Sequence, residues 1–86
     1  MKGNERMSLT QLQLRALCAA NMADPRGGLH YTVGGWIDPD RPHDYHPGQT
    51  TTQLVAKGLL AETGKGKNRR RMITAEGRAR MARETR

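Results

Sequence analysis

The residues best placed for binding chemistry are basic side chains near the C-terminus. Residues 64–71 read Gly-Lys-Gly-Lys-Asn-Arg-Arg-Arg. Residues 1–64 carry six Lys or Arg against six Asp or Glu, whereas residues 65–86 carry nine against two, so the whole net charge of +7 lies in the last quarter of the chain. A one-sided positive field attracts polyanions, most often nucleic acid. A solvated, solubilising tail is the alternative interpretation.

A second group of candidate residues precedes the basic run, in residues 49–57. One face of a helix is indicated here by residues that recur at intervals of three and four, the spacing of a face that packs against a core. These residues are Thr51, Leu54, Val55, Gly58 and Leu59. The opposite face then holds Gln49, Thr52 and Gln53, whose short polar side chains can hydrogen-bond to base edges in a major groove. An ordinary exposed helix face is the alternative.

Other chemistry has little support in the sequence. His43 and His46 lie near Asp40 and Asp44, but in a proline-rich stretch without the cysteine pairs or histidine-rich helix typical of zinc sites, so no metal is expected. Cys18 falls on an apolar helical stripe and is expected to be a small buried side chain. With no catalytic constellation and no phosphate-binding loop of Walker spacing, we expect neither an enzyme nor a bound cofactor.

The elements that must position these residues belong to one small domain, residues 1–86. The chain has 35% hydrophobic residues, no Phe and a mean hydropathy of −0.83, so the core is thin and a large cofactor-dependent enzyme is excluded. No apolar run is long enough to cross a membrane, and the N-terminus lacks the apolar core of a signal peptide. A lone cysteine forms no internal disulfide, so the cytoplasm is the expected location.

A first helix is predicted over residues 8–23. Either Ser8 with Gln11 or Thr10 with Gln13 can form its capping box, and the Asp24-Pro25 pair ends it. Apolar side chains occupy two sides of this helix, so it should contact more than one neighbour. Its stripe of Leu12, Ala16 and Ala19, together with the C-terminal helix, is a candidate homodimer surface.

Residues 24–48 are rich in glycine and proline and are predicted to be loop with short strands. A hairpin is expected from residues 29–33 and 36–37 around a Gly34-Gly35 turn, with Trp36 as a core residue beside Tyr31. Residues 38–47 show no periodicity and are expected to be loop, with a very short helix at residues 40–45 as the alternative.

Three elements are predicted after residue 48. A helix over residues 49–58 is expected to begin with a Thr50–Gln53 capping box and to end at Gly58 in a left-handed conformation. Residues 59–73 form a β-hairpin around the basic run. A last helix over residues 74–84 has Thr74 as its cap and a Glu76–Arg80 pair at i,i+4 spacing.

The segments Leu-Val-Ala-Lys-Gly-Leu-Leu at residues 54–60 and Ile-Thr-Ala-Glu-Gly-Arg at residues 73–78 resemble parts of the winged helix-turn-helix domain of bacterial and phage regulators, in particular MarR-like proteins. The resemblance covers residues 46–83, and residues 8–22 less specifically. It implies an α+β winged helix with about three helices, in which the hairpin "wing" separates the recognition helix from the last helix. The family's middle helix has no legible counterpart in residues 24–48.

The resemblance also implies a function, that of a small double-stranded DNA-binding protein that regulates transcription. The recognition helix would enter the major groove, and the wing would follow the phosphates or probe an adjacent minor groove. The DNA-binding residues would be Gln49, Thr50, Thr52, Gln53, Lys57, Lys65, Lys67, Arg69, Arg70 and Arg71.

Two further functions remain open on the sequence. A protein-interaction adaptor, such as a phage-encoded inhibitor, would display an exposed apolar patch, for which the candidates are Tyr31, Val33, Trp36 and Tyr45. RNA binding would use the same positive charge for a partner of different shape.

Overall fold

The computed structural model describes residues 9–84, which form an α+β domain of three helices and a five-stranded antiparallel sheet. The first half contains α1 (Gln11–Ala23), β1 (Leu29–Thr32), β2 (Gly35–Asp38) and β3 (Arg41–His46). The second half contains α2 (Gly48–Ala56), β4 (Leu60–Thr63), β5 (Arg70–Ile73) and α3 (Ala75–Glu84). None of the helices in this part of the chain has the length and hydrophobicity needed to cross a membrane.

Helix α1 begins with the Thr10–Gln13 capping box, which is therefore confirmed. The Thr10 hydroxyl accepts from the Gln13 N–H at 3.1 Å, and the Gln13 side chain accepts from the Thr10 N–H at 3.0 Å. The alternative cap, Ser8, lies outside the described residues. Ala16 is fully buried within the domain while Leu12 is half exposed, so the stripe expected at a dimer surface is divided between core and solvent.

The five strands lie in the order β3-β2-β1-β5-β4. Strand β1 pairs antiparallel with β5, with His30 opposite Arg70, and β5 pairs in turn with β4. Consequently the end of β1 lies beside the start of β5, at the same end of the sheet as the turn between β4 and β5. This arrangement brings residues 29–32 from the first half of the chain into the middle of the sheet.

The expectation of loop, or a short helix, at residues 38–47 was wrong. Residues 41–46 form the edge strand β3, where Trp36 lies opposite His46 and Asp38 opposite Arg41, with an irregularity between them. An edge strand tolerates a proline such as Pro42, because one side of its backbone needs no partner. Local periodicity fails here because five of the six β3 residues are not buried.

The β1–β2 turn also differs from the prediction by one residue. The strands end and begin at Thr32 and Gly35, so the turn consists of Val33 and Gly34 rather than Gly34-Gly35. The Thr32 hydroxyl donates to the Gly35 carbonyl at 2.6 Å and closes this turn. Val33 is thereby moved from a strand position to the tip.

One core lies between the helices and one face of the sheet. Trp36 is 3% exposed and meets Tyr31 edge to face, with ring centroids 5.5 Å apart, so its predicted place in the core is confirmed. Fully buried leucines join α1, β1, α2 and β4. The buried hydrophobic residues are Ala16, Leu17, Ala20, Ala23, Leu29, Trp36, Leu54, Leu59, Leu60 and Ile73.

The ends of α2 and the start of α3 are set by local chemistry. Pro47 precedes α2 and no side chain caps it, so the expected Thr50–Gln53 capping box was wrong. Gly58 has a φ of 79°, which confirms the predicted left-handed residue after the helix. The Thr74 hydroxyl accepts from the Gly77 N–H at 2.9 Å and caps α3, as predicted.

The expected Glu76–Arg80 pair is replaced by an ion pair one turn later. Arg80 Nε lies 3.2 Å from Glu84 Oε2, also at i,i+4 spacing. Another arginine of α3, Arg78, pairs with Asp24 at 2.7 Å and joins α3 to the segment that follows α1.

Candidate nucleic-acid interface

The outer face of α2, defined here as Gln49, Thr52 and Gln53, is exposed to solvent. Gln53 is held by a contact from another element, because its Oε1 accepts from Gln13 Nε2 of α1 at 2.9 Å. Thr50, expected among the DNA-binding residues, is only 7% exposed and lies on the inner side. The outer face therefore presents two glutamines and one threonine, with Lys57 exposed at the C-terminal end of the helix.

The second part of the candidate interface is the basic turn, defined as residues 64–69, between β4 and β5. Gly64 and Gly66 have φ values of 82° and 58°, in the left-handed region that favours glycine. Residues 66–68 make one short 3-10 turn, closed by the Asn68 N–H donating to the Lys65 carbonyl at 3.0 Å. Lys65 and Lys67 are exposed, and neither forms an ion pair within residues 9–84.

Arg71, expected to contact phosphate, does not lie on the surface. It is 8% exposed, and its guanidinium donates to Thr51 Oγ1 at 2.7 Å and Thr52 Oγ1 at 2.9 Å. It also pairs with Glu62 Oε1 at 2.7 Å and lies over the Trp36 ring, 4.2 Å from the centroid. These partners engage the N–H donors and the charge of the guanidinium inside the domain, so Arg71 is a structural residue.

The position of Arg71 has a geometric consequence for the interface. Arg71 belongs to β5, Glu62 to β4 and Thr52 to the outer face of α2, and the guanidinium contacts both of the latter. One buried side chain thus fixes the β4–β5 hairpin against the start of α2. The hairpin that carries the basic turn is therefore held directly against the first half of α2.

Arg69 is oriented by contacts on two sides. Its Cζ lies 4.4 Å above the centroid of the Tyr31 ring, and its Nε donates to the Gly66 carbonyl at 3.0 Å. A guanidinium over an aromatic face gains electrostatic attraction and keeps its remaining N–H groups available to a partner. Arg69 is thus a preorganised cation next to the two lysines.

Arg70 points to the opposite face of the sheet from its neighbours. Successive side chains of a strand alternate between the two faces, and the burial of β5 follows this pattern, with Arg71 and Ile73 buried and Arg70 half-buried. Arg70 Nη1 donates to the Arg69 carbonyl at 3.2 Å. Of the three consecutive arginines, only Arg69 lies in the basic turn on the side of α2.

A buried histidine lies at the entry to α2. His46 is 4% exposed, its Nε2 has no hydrogen-bond partner among residues 9–84, and Asp44 Oδ2 is 3.9 Å away. Burial lowers the pKa of His46, and the positive charge of Arg15 acts in the same direction, while Asp44 and Asp38 oppose it. The imidazole is therefore kept neutral directly before Pro47.

The remaining titratable candidates stand apart from the interface. Cys18 is half-buried on α1, and burial raises the pKa of its thiol, which disfavours the reactive thiolate. Within residues 9–84, no group of three or more His, Cys, Asp and Glu side chains is arranged to hold a metal ion.

The apolar patch expected of an adaptor is not contiguous. Trp36 is in the core, whereas Val33 is 97% exposed and Tyr45 is 52% exposed. The Tyr45 ring lies close over Gly34, where an added Cβ would come within 3.0 Å of it. Of the four candidates for this patch, only Val33 and Tyr45 are therefore exposed, at the β1–β2 tip and in the ring beside it.

Sequence analysis did not identify three residues whose side chains hold the candidate interface residues in place. Gln13 positions Gln53, Tyr31 carries Arg69, and Glu62 neutralises Arg71. For Arg71 a signal was present: Ile73 must be buried, and strand alternation then places Arg71 on the same inner face. Comparison of the chain with protein-family models, curated proteins and solved structures gave no match.

Proposed function

We propose that this protein binds double-stranded DNA, with the outer face of α2 in the major groove and the basic turn on the phosphates beside it. The observation that carries the proposal is the buried Arg71, which holds the hairpin and the start of α2 together. A rigid pair of elements, one with hydrogen-bonding side chains and one with cations, suits the division between base contacts and phosphate contacts. The protein would regulate transcription by occupying its site.

The order of elements supports a winged-helix interpretation. The β4–β5 hairpin lies between α2 and α3, and β5 pairs with a strand, β1, that follows the first helix. The β2–β3 hairpin occupies the chain segment where the family has its middle helix. Helix α1 contacts α2 directly through the Gln13–Gln53 hydrogen bond, so α2 is supported without that middle helix.

The charges favour an interface that reads sequence weakly and binds phosphate strongly. Gln49, Thr52 and Gln53 are the only polar side chains proposed for base contacts, and Gln53 is already engaged with Gln13. Lys65, Lys67 and Arg69 provide three positive charges, and the neighbouring Glu62 is neutralised by Arg71. We therefore expect specific and random duplexes to differ modestly in affinity and the salt dependence to be steep.

The test is the affinity for a short labelled duplex, measured by fluorescence anisotropy at several salt concentrations. In the double variant Lys65→Ala/Lys67→Ala, the slope of log K against log salt should decrease by about two, because each phosphate contact contributes about 0.9. The matched control is Arg15→Ala/Arg41→Ala, which removes the same charge from exposed residues on α1 and on the opposite edge strand β3. An equal loss of slope in both variants would contradict a localised interface.

The alternative of RNA binding is tested in the same measurement. A structured RNA of equal length serves as unlabelled competitor against the duplex. Since α2 is expected to enter a major groove that is too narrow in A-form RNA, the RNA should compete poorly. Stronger binding of the RNA than of the DNA would refute the proposal.

A further inference from the structure

The tips of two hairpins lie side by side at one end of the sheet. The Tyr31 N–H donates to the Arg69 carbonyl at 3.3 Å, which continues the β1–β5 pairing up to the turns. Between the tips runs a groove of about 440 Å³, lined by Tyr31, Thr32, Val33, Gly66, Lys67 and Arg69. Its walls thus come from the β1–β2 hairpin on one side and the basic turn on the other.

The two walls differ in chemistry. The basic turn contributes Lys67 and the oriented guanidinium of Arg69, whereas the β1–β2 tip contributes Val33. Single exposed apolar residues are common on protein surfaces. Val33 differs because it is almost completely exposed, at a turn closed by the Thr32–Gly35 hydrogen bond, and borders a cationic groove.

We propose that the β1–β2 tip is a second DNA-contacting element, which places Val33 in the minor groove while Lys65 and Lys67 hold the flanking phosphates. This inference rests on the proposed function and extends it to a contact outside the recognition helix. Proteins that bind the minor groove frequently insert an apolar side chain between base steps, and use basic side chains to read the groove. The minor groove is about 6 Å wide, so a single side chain projecting from a hairpin tip, such as that of Val33, can enter it while the backbone stays outside.

The surrounding residues fit this contact. The Tyr45 ring lies against Gly34 and supports the tip from the β3 side. The basic turn lies on the other side, and no acidic side chain within residues 9–84 forms an ion pair with Lys65, Lys67 or Arg69. Charge complementarity therefore selects nucleic acid over an apolar protein surface as the occupant of the groove.

The experiment compares Val33→Thr and Val33→Asp with the wild-type protein on an A·T-rich labelled duplex. Val33→Thr keeps the β-branched shape and removes apolar contact, and we expect about threefold weaker binding with an unchanged salt slope. Val33→Asp adds a negative charge near the phosphates and should weaken binding by about tenfold or more. Leu12→Gln is the matched control, because it removes a half-exposed apolar side chain from α1, and its affinity should equal that of the wild type.

A competing ligand identifies the groove. Netropsin fills the A·T minor groove and should weaken binding of the wild type more than that of Val33→Asp. Wild-type affinity in both Val33 variants, or no effect of netropsin, would overturn the minor-groove contact while leaving duplex binding through α2 in place. If the wild-type protein binds no duplex at all, both the proposed function and this inference fail.

Discussion

The two edges of the sheet handle charge in opposite ways. At the β3 edge, positive and negative side chains neutralise each other, since Arg26 pairs with Asp38 and Asp40, and Arg15 pairs with Asp44. At the β4 edge, the hairpin ends in Lys65 and Lys67, which form no ion pair within the described residues. A net charge alone would not reveal this difference. The comparison shows that ion pairing within the fold decides where positive charge is left without a partner.

A second contrast lies inside the basic hairpin itself. Arg69 and Arg71 project to the same face, yet Arg71 is buried between Glu62 and α2 while Arg69 covers Tyr31 at the surface. The first stabilises the fold and the second is available to a ligand. Substitutions can therefore separate the residues of this hairpin that stabilise the fold from the residues that are available to bind a ligand.

The largest expected effect is that of Arg71→Ala on stability. The change leaves Glu62 without its partner and removes donors to Thr51 and Thr52, so we expect a loss of about 3 kcal/mol in the free energy of unfolding. Urea denaturation followed by Trp36 fluorescence measures it. Lys67→Ala is the control at the same edge and should change stability by less than about 0.5 kcal/mol. A similar stability for the two variants would show that Arg71 does not hold the hairpin to α2.

A smaller loss is expected at the opposite edge from Arg26→Ala. Asp38 is 2% exposed and, among residues 9–84, would keep only the Asp40 N–H as a donor, at 3.0 Å. Because Arg26 is itself partly exposed and solvent screens the pair, we expect a loss of about 1–2 kcal/mol, again from denaturation curves. DNA affinity should change no more than in the Arg15→Ala/Arg41→Ala control. A marked loss of affinity in folded Arg26→Ala would mean that the β3 edge also contributes to the interface.

The smallest expected effect is a pH dependence of stability from His46. Burial lowers its pKa in the folded state, whereas in the unfolded chain the pKa is near 6.5. As pH falls below about 6.5 the unfolded chain takes up a proton that the folded protein resists, so the free energy of unfolding decreases. The decrease ends once the pH is below the folded-state pKa.

Denaturation curves from pH 8 to pH 5 for the wild type and His46→Leu measure this dependence. The leucine variant should lose the component that His46 contributes, while His43→Leu, at an exposed position of the same strand, should keep it. Identical pH profiles for wild type and His46→Leu would contradict the assignment. The acidic groups that face His46, Asp44 and Asp38, reduce the effect, and Arg15 increases it.

The sequence predicted those parts of the fold that depend on residues close in the chain. The Thr10–Gln13 cap, the left-handed Gly58 and the Thr74 cap are each confirmed. All three involve a hydrogen bond or a backbone preference that spans only a few residues. The prediction failed at residues 41–46, whose strand exists because β2 pairs with it, and at the β1–β2 turn, whose register is fixed by the Thr32–Gly35 contact.

The candidate site divides in the same way. Composition located the positive charge in residues 65–86 and the polar side chains in residues 49–57. It also assigned Thr50 and Arg71 to the surface. Residue type alone does not distinguish the buried member from the exposed members of three consecutive arginines or of a threonine-glutamine run. Burial of Ile73 and strand alternation would have moved Arg71 inward, but nothing local indicates that Glu62 and Thr52 would receive it.

By itself, the sequence determined where the charge lies, the caps at the starts of α1 and α3, and the glycine that follows α2, because these properties depend on side-chain type and on neighbours a few residues away. The tertiary structure decided which cations remain at the surface and that Val33 lies beside them. Those outcomes follow from the pairing of β1 with β5, a contact between segments about 40 residues apart whose register fixes the face of every side chain in the hairpin.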